Sequence, residues 1–357
     1  MQKRILVLCS SSYQILVAIR IMYEYYANNI IDLLLTDTIA DVKNVYHKAK
    51  RESIFRHTYL WKIKGKFNFD RSQRLLHAVQ GWRASEKLLA AYEMKDKQYD
   101  VFLYANNSPI AMHLGNVLKH KNPNLAVELF EDGFSTYSTY MGDFLKKSNL
   151  RTRLLAGFFM HTSVVYVFNP QMIEWNSTFE LKKICHDFEG EILGLINRLF
   201  SYERLQDNYN KKVIFFEESY AADGKTVDDV EIVEVIADVV GKENVFVKIH
   251  PRNPTNRFSA KGYVTNINIS IPWEVIVLNE PFEQTVLVTL ASNAAMNPYF
   301  LFGKRIPVIL LFRCTKTPEA LYAPIVSFDE KICSKYPDIF TIPKNCEQMK
   351  SKLKEYI

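Results

Sequence analysis

Cysteine is scarce and scattered. The 357 residues hold five, Cys9, Cys185, Cys314, Cys333 and Cys346, odd in number, far apart and without a C-x-x-C pair, so neither a disulfide framework nor a zinc site is expected and a reducing compartment is. Long hydrophobic runs are missing too. The apolar run Ile5–Leu8 behind Lys3 and Arg4 is too short for the core of a signal peptide and reads as a buried first strand. Leu154–Phe168, the most apolar later stretch, is interrupted by His161, Thr162 and Ser163 and falls short of the ~20 residues that span a bilayer. A cytoplasmic location is expected, with at most a peripheral contact at a membrane surface.

Several motifs are absent as well. No two aspartates are spaced D-x-D, and Walker A, G-x-G-x-x-G, G-x-S-x-G and H-E-x-x-H sequences are lacking, as are internal repeats and low-complexity segments. These absences argue against ATP hydrolysis, nicotinamide chemistry, metal-dependent sugar transfer, serine hydrolysis and zinc proteolysis.

What is present is a chain that can fill a large core: 48% of its residues are hydrophobic and 24% charged. Its length exceeds the ~250 to 300 residues at which single cores stop growing, so two domains are expected, with the cleft between them as the first place to look for a site. The net charge of +6 is uneven. Lys43 to Arg83 contains 11 Lys and Arg against Glu52 and Asp70, a local +9 that leaves about −3 for the remainder. Tyr46, Phe55, Tyr59, Leu60, Trp61, Phe67 and Phe69 lie in the same stretch. Such interleaving suits an anionic membrane, an acidic acceptor or single-stranded nucleic acid, and equally a solvated face of helix and loop.

Short β-rich runs alternate with segments of helical period, the pattern of parallel α/β architecture. Strands are expected at Ile5–Cys9, Ile31–Leu35, Val101–Tyr104, Leu125–Phe130 and Val164–Phe168, with helices at Tyr13–Tyr26, Ser72–Glu93 and Gly190–Tyr202. After the polar stretch Gln206–Asn210 a second series begins: strands at Lys211–Phe216, Val245–Lys248, Val286–Thr289 and Val308–Leu311, helices at Val227–Val240 and Ala294–Leu301. The expected domains are residues 1–205 and 211–344, each a Rossmann-like half. Residues 345–357 form a last helix placed to cross back onto the first half.

Three elements could carry chemistry. Glu131-Asp132-Gly133 follows the run Leu125–Phe130, so Gly133 permits a sharp turn and Asp132 stands at the end of a buried strand, where an acid can serve as a general base. Asp-Gly is also a common plain turn. Lys248-Ile249-His250-Pro251-Arg252 ends another strand, because proline stops the ladder and presents the imidazole beside two cations, an arrangement suited to phosphate. A capping histidine in a surface turn has the same sequence. Ser292 and Asn293 lie between a strand and a helix, where a serine N-cap and first-turn amides can hold an anion, or simply cap.

The order of these elements, together with Cys9-Ser10-Ser11-Ser12-Tyr13-Gln14 and Pro272-Trp273-Glu274, resembles the bacterial sialyltransferases of lipooligosaccharide and capsule synthesis in glycosyltransferase family 52. The resemblance covers most of the chain. It implies a GT-B fold, two Rossmann-like domains facing across a deep cleft, and inverting transfer of sialic acid from CMP-sialic acid to a galactoside or sialoside without metal or cofactor. By the same resemblance Asp132 would be the base, His250 would act at the CMP phosphate, and Ser292 would open the Ser-Ser/Thr phosphate motif, whose second position is Asn293 here. Lys248, Pro251, Arg252, Trp273 and Glu274 would line the donor. Gln14, Asn106, Asn107, Glu131 and Gly133 would face the acceptor. A homodimer through Lys146–Tyr202 is compatible with this reading. Two other readings stay open: a CDP-glycerol or CDP-ribitol phosphotransferase or another GT-B nucleotide-sugar transferase, and, outside enzymes, a nucleic-acid scaffold using the basic stretch.

Overall fold

The computed structural model describes residues 2–63, 74–94, 96–105, 109–133, 136–137, 162–173, 179–222, 224–253, 255–317 and 323–357. The chain divides into two compact units, Met1–Phe200 and Ser201–Ile357. The polar stretch 206–210, expected as the boundary, thus falls inside the second unit.

In the first unit seven strands form one parallel sheet: β1 (Arg4–Cys9), β2 (Ile30–Thr36), β3 (His57–Trp61), β4 (Val101–Tyr104), β5 (Ala126–Phe130), β6 (Thr162–Val167) and β7 (Glu180–Lys183), in the order β3-β2-β1-β4-β5-β6-β7. Its described helices are α1 (Ser12–Tyr25), α2 (Val42–Ala49), α3 (Arg74–Ala91), α4 (Pro109–Lys121) and α5 (Gly190–Phe200). The inner strands are continuous hydrophobic runs because a parallel sheet is covered on both faces; every residue of β4 is buried. Helices α3 and α4 pack together. A Cβ at Gly81 would come within 2.0 Å of the His113 ring, so glycine in mid-helix sets the approach there.

The second unit has six parallel strands, β8 (Val213–Phe216), β9 (Val245–Lys248), β10 (Val264–Thr265), β11 (Val286–Thr289), β12 (Val308–Leu310) and β13 (Phe340–Thr341), ordered β10-β9-β8-β11-β12-β13. This is the 3-2-1-4-5-6 order of a Rossmann sheet, with its switch point between β8 and β11. The corresponding point in the first sheet lies between β1 and β4. Helices α6 (Asp229–Val240), α7 (Trp273–Asn279), α8 (Asn297–Phe302), α9 (Ala323–Lys335) and α10 (Cys346–Tyr356) complete the unit.

The last helix, α10, packs on α6 of its own unit. Two expectations change. The helix expected at Ala294–Leu301 is a 3-10 turn, Asn293–Ala295, followed by the six-residue α8, whose first turn holds Pro298; proline fits a helix start and not its middle. In the basic stretch, Phe55, Tyr59 and Trp61 are buried while Lys43, Lys50, Arg51, Arg56 and Lys62 are exposed. These aromatics are core residues of and around β3 and offer no stacking platform; Phe67 and Phe69 lie outside the described residues. Among the described residues no helix is long and apolar enough to cross a membrane.

Candidate active site

The carboxyl end of β5 runs into Glu131-Asp132-Gly133. Gly133 has φ +66°, a left-handed conformation that costs a side-chain-bearing residue ~1 kcal/mol or more, and it turns the chain so that Thr136 N–H reaches the Gly133 carbonyl at 3.1 Å. The turn is closed by the Asp132 amide donating to Thr136 Oγ1 at 2.8 Å. The Asp132 carboxylate remains half-buried, and its Oδ1 accepts from Gln14 Nε2 at 2.9 Å.

Gln14 is itself fixed at both ends. Ser11 caps α1 by accepting from the Gln14 amide at 3.1 Å, and Gln14 Oε1 accepts from the Ser10 amide at 2.6 Å. The Ser-Ser-Ser-Tyr-Gln turn after β1 therefore builds a buried amide, 3% exposed, whose one role visible from its geometry is to aim Asp132. Cys9 ends β1 beneath it; burial and then the Asp132 charge push its thiol up, so it stays protonated.

Glu131, expected on the acceptor side, is buried. It is 0% exposed and accepts from Tyr13 OH at 2.7 Å, from the Phe168 amide at 2.9 Å and from Tyr137 OH. Burial pushes its carboxyl up to about 7 against the pull of these donors. Glu131 ties the end of β5 to the end of β6 and α1. Asn106 and Asn107 lie outside the described residues.

In the second unit, Lys248 closes β9 and the chain turns at His250-Pro251. Glu217 Oε2 accepts the His250 amide at 3.0 Å, and His250 Nδ1 accepts the Arg252 amide at 3.2 Å. With Nδ1 an acceptor, the neutral imidazole carries its proton on Nε2. Pro251 and Arg252 are exposed, and the Arg252 guanidinium donates to Ser219 Oγ. Desolvation lowers the Lys248 ammonium, with the Glu274 and Asp207 charges opposing it.

After β11, Ser292 precedes the 3-10 turn, but its side chain makes no capping hydrogen bond. The expected serine cap is thus absent, because the turn is tied from behind: the Ser292 amide donates to Thr289 Oγ1 at 2.9 Å. Asn293 is exposed. Trp273, expected at the donor, is instead a core anchor. It is 4% exposed, packs against Phe216 at 4.9 Å and Phe282 at 5.4 Å, and donates its indole N–H to Ala294 O at 2.9 Å. Glu274, at 9% exposure, accepts from Asn297 at 2.6 Å.

Sequence reasoning missed the pair that organises these turns, Glu217 and Glu218 at the end of β8. Glu217 is 2% exposed, holds the His250 amide on the β9 side, and is paired with Arg257 at 2.8 Å. Arg257 is shared with the buried Asp229, reached at 2.6 Å. Glu218 reaches the other way, accepting from the Ala291 amide at 3.0 Å and from Thr289 Oγ1 at 3.1 Å on the β11 side. Because β8 lies between β9 and β11 in the sheet, two consecutive carboxyls align both neighbouring turns. A signal was available: Phe216-Glu217-Glu218 repeats Phe130-Glu131-Asp132 at the same place, the end of a buried strand. Among the described residues no group of three or more His, Cys, Asp or Glu is arranged to hold a metal ion.

Residues 5–310 match the family described as Alpha-2,8-polysialyltransferase (POLYST). The chain belongs to the alpha-2,8-polysialyltransferase family. As a member it is a glycosyltransferase of sialyl-transfer type, which agrees with the sialyltransferase resemblance drawn from its motifs. A search of curated proteins finds no match. Solved structures resemble this polysialyltransferase-family chain in fold. UGT89C1 of Arabidopsis thaliana, solved with UDP, is 9% identical with TM-score 0.54, over 100% of this chain and 90% of that one. The calicheamicin glycosyltransferase CalG4 is 10% identical with TM-score 0.53, over 99% and 90%. The UDP-GlcNAc 2-epimerase of Methanocaldococcus jannaschii, in complex with UDP-GlcNAc and UDP, is 11% identical with TM-score 0.52, over 99% and 92%. Together with the two parallel sheets they give this family member the GT-B fold.

Proposed function

We propose that the chain extends an anionic surface glycan by moving sialic acid from CMP-sialic acid to a hydroxyl of a terminal sialic acid, with inversion and without a metal. Asp132 is the general base and His250 the hydrogen-bond donor to the leaving phosphate. The observation that carries this reading is that each of these side chains stands at the carboxyl end of a parallel strand and is oriented by its own hydrogen bond, Asp132 by Gln14 and His250 by the Arg252 amide.

The anomeric carbon of the donor is tertiary and bears a carboxylate, so the bond to the CMP phosphate oxygen stretches ahead of nucleophilic attack and the transition state has oxocarbenium character. As that bond breaks, its electron pair goes to the phosphate oxygen. The Nε2–H of His250 meets the new charge, with the Ser292 hydroxyl and Asn293 amide as further donors; a preorganised donor of this kind is worth about 10² to 10³ in turnover. The acceptor oxygen forms the new bond to the anomeric carbon, and its proton passes to Asp132. The exposed cations Lys43, Lys50, Arg51, Arg56 and Lys62 suit an acceptor that carries a carboxylate on every residue, or an anionic membrane surface.

The test is incubation of the purified chain with CMP-sialic acid and a sialylated oligosaccharide, read by product mass, beside CDP-glycerol and CDP-ribitol. Sialyl addition from the first donor alone is expected. Asp132→Ala should abolish transfer and keep CMP binding; His250→Ala should weaken both. Transfer from a CDP-polyol without sialyl transfer would overturn the reading.

A further inference from the structure

Glu218 occupies in the second unit the position that Asp132 holds in the first, one residue past a buried glutamate at the end of a central strand. Its contacts differ. One oxygen, Oε1, accepts both the Ala291 amide and the Thr289 hydroxyl, and Thr289 in turn accepts the Ser292 amide at 2.9 Å. The backbone of the turn that presents Ser292 is thus hung on a single carboxyl oxygen and one hydroxyl.

Glu218 is also hemmed in by like charge. Glu217 precedes it just past β8, the charge of Asp229 on α6 acts on it, and its own charge acts on Asp329 of α9. Arg257 is bonded to Glu217 and Asp229, and Arg252 donates to Ser219. Asp329 is 0% exposed, and neither of its oxygens has a hydrogen-bond partner. A further negative charge placed at the Ser292 turn therefore meets a carboxyl set among other carboxyls, and a proton on it relieves the repulsion.

We propose that Glu218 is the positioning residue of the donor-phosphate turn, acting through Thr289 and the Ala291 and Ser292 amides, and that it takes up a proton from the buffer when a phosphate fills that turn. The inference rests on the reading of Ser292 as the donor-phosphate residue. Protonation removes the charge and leaves the carbonyl oxygen as an acceptor, so the turn keeps its two hydrogen bonds while the repulsion disappears. Burial, with the Asp229 and Glu217 charges, already pushes the Glu218 carboxyl up to about 7, where a further rise takes up the fraction of a proton the group still lacks at neutral pH. By linkage, CMP affinity falls as pH rises through this range, by about tenfold for each unit that phosphate adds to the Glu218 pKa.

The experiment is calorimetric titration of CMP into the full chain at pH 7.5 in two buffers of different ionisation enthalpy, which counts protons taken up per CMP bound. Glu218→Gln keeps both acceptor bonds and cannot take a proton. It should bind CMP, take up measurably fewer protons than the wild type, and show a flatter dependence of affinity on pH. Proton exchange by other groups at the site is common to both proteins, so the difference between them reports Glu218. As a second variant, Asp329→Leu removes the α9 carboxylate and should also lower the uptake. An uptake unchanged in both variants, or loss of CMP binding in folded Glu218→Gln, overturns the inference while the functional reading stands. Failure of the wild-type chain to bind CMP overturns the functional reading and this inference with it.

Discussion

Gln14 Nε2 lies 2.9 Å from Asp132 Oδ1, joining the turn after β1 to the turn after β5 across the end of β4. The bond makes Gln14 the aiming device of the proposed base. It also explains why a glutamine in the first turn of α1 is nearly solvent-free: both ends of its amide are engaged by the main chain or by Asp132.

Gln14→Leu should therefore act on the chemical step. Misplacing a reacting group by about 1 Å costs roughly 10²-fold in rate, so kcat is expected to fall by about that factor while CMP affinity holds. The check is steady-state sialyl transfer alongside CMP titration. A normal kcat would mean that Asp132 needs no aiming.

The Arg257 triad should matter for stability and for His250 together. Glu217 and Asp229 are buried, and Arg257 is their shared cation. Removing one partner of a buried pair leaves uncompensated charge and costs about 3 to 5 kcal/mol. Arg257→Met is expected to lower the unfolding free energy by about that much in urea, and to weaken CMP binding because Glu217 no longer fixes the His250 amide. A variant as stable as the wild type would contradict the triad's structural role.

Stability should rise on mild acidification. Glu131, Glu218 and Asp329 each have a carboxyl raised to about 7 by burial, above the ordinary carboxylate range. The folded chain thus holds protons that the unfolded chain has already lost. Their stabilising contribution is complete below the ordinary carboxylate pKa and drains away as pH rises through 7. The melting temperature is expected to be higher at pH 6 than at pH 8, and to be flatter in the double variant Glu218→Gln, Asp329→Leu.

Asp329→Leu alone should stabilise the protein above pH 7. A buried polar group without a partner costs about 1 to 3 kcal/mol, and leucine fills similar space without that penalty. Thermal melts at pH 8 check it. Destabilisation would mean that the carboxyl is satisfied in solution.

Much of this molecule was legible in its sequence, for identifiable reasons. Central parallel strands such as Val101–Tyr104 and Val245–Lys248 are buried on both faces and stand out as apolar runs. The edge strands β3, β7, β10 and β13 did not, because His57–Trp61 and Glu180–Lys183 mix polar residues into short stretches and the other two are only two residues long. The turns at Asp132 and His250 were marked by glycine and proline, whose backbone limits are local. Gln14, Glu217, Glu218, Thr289 and Arg257 act through hydrogen bonds to residues far away in sequence, and no local pattern announces such pairings. Trp273 and Glu131 misled for the converse reason: each sits in a functional-looking motif, and tertiary packing assigns each to the core.

The central claim is that Asp132 removes the acceptor proton. Its most direct measurement is the single-turnover rate of sialyl transfer by Asp132→Asn, a substitution that keeps size and hydrogen-bonding capacity, with CMP affinity measured on the same preparation. A general base is worth roughly 10² to 10⁴ in rate, so a loss in that range with CMP affinity intact is expected. A variant that transfers sialic acid within about threefold of the wild-type rate, far short of the base's expected share, would contradict the account.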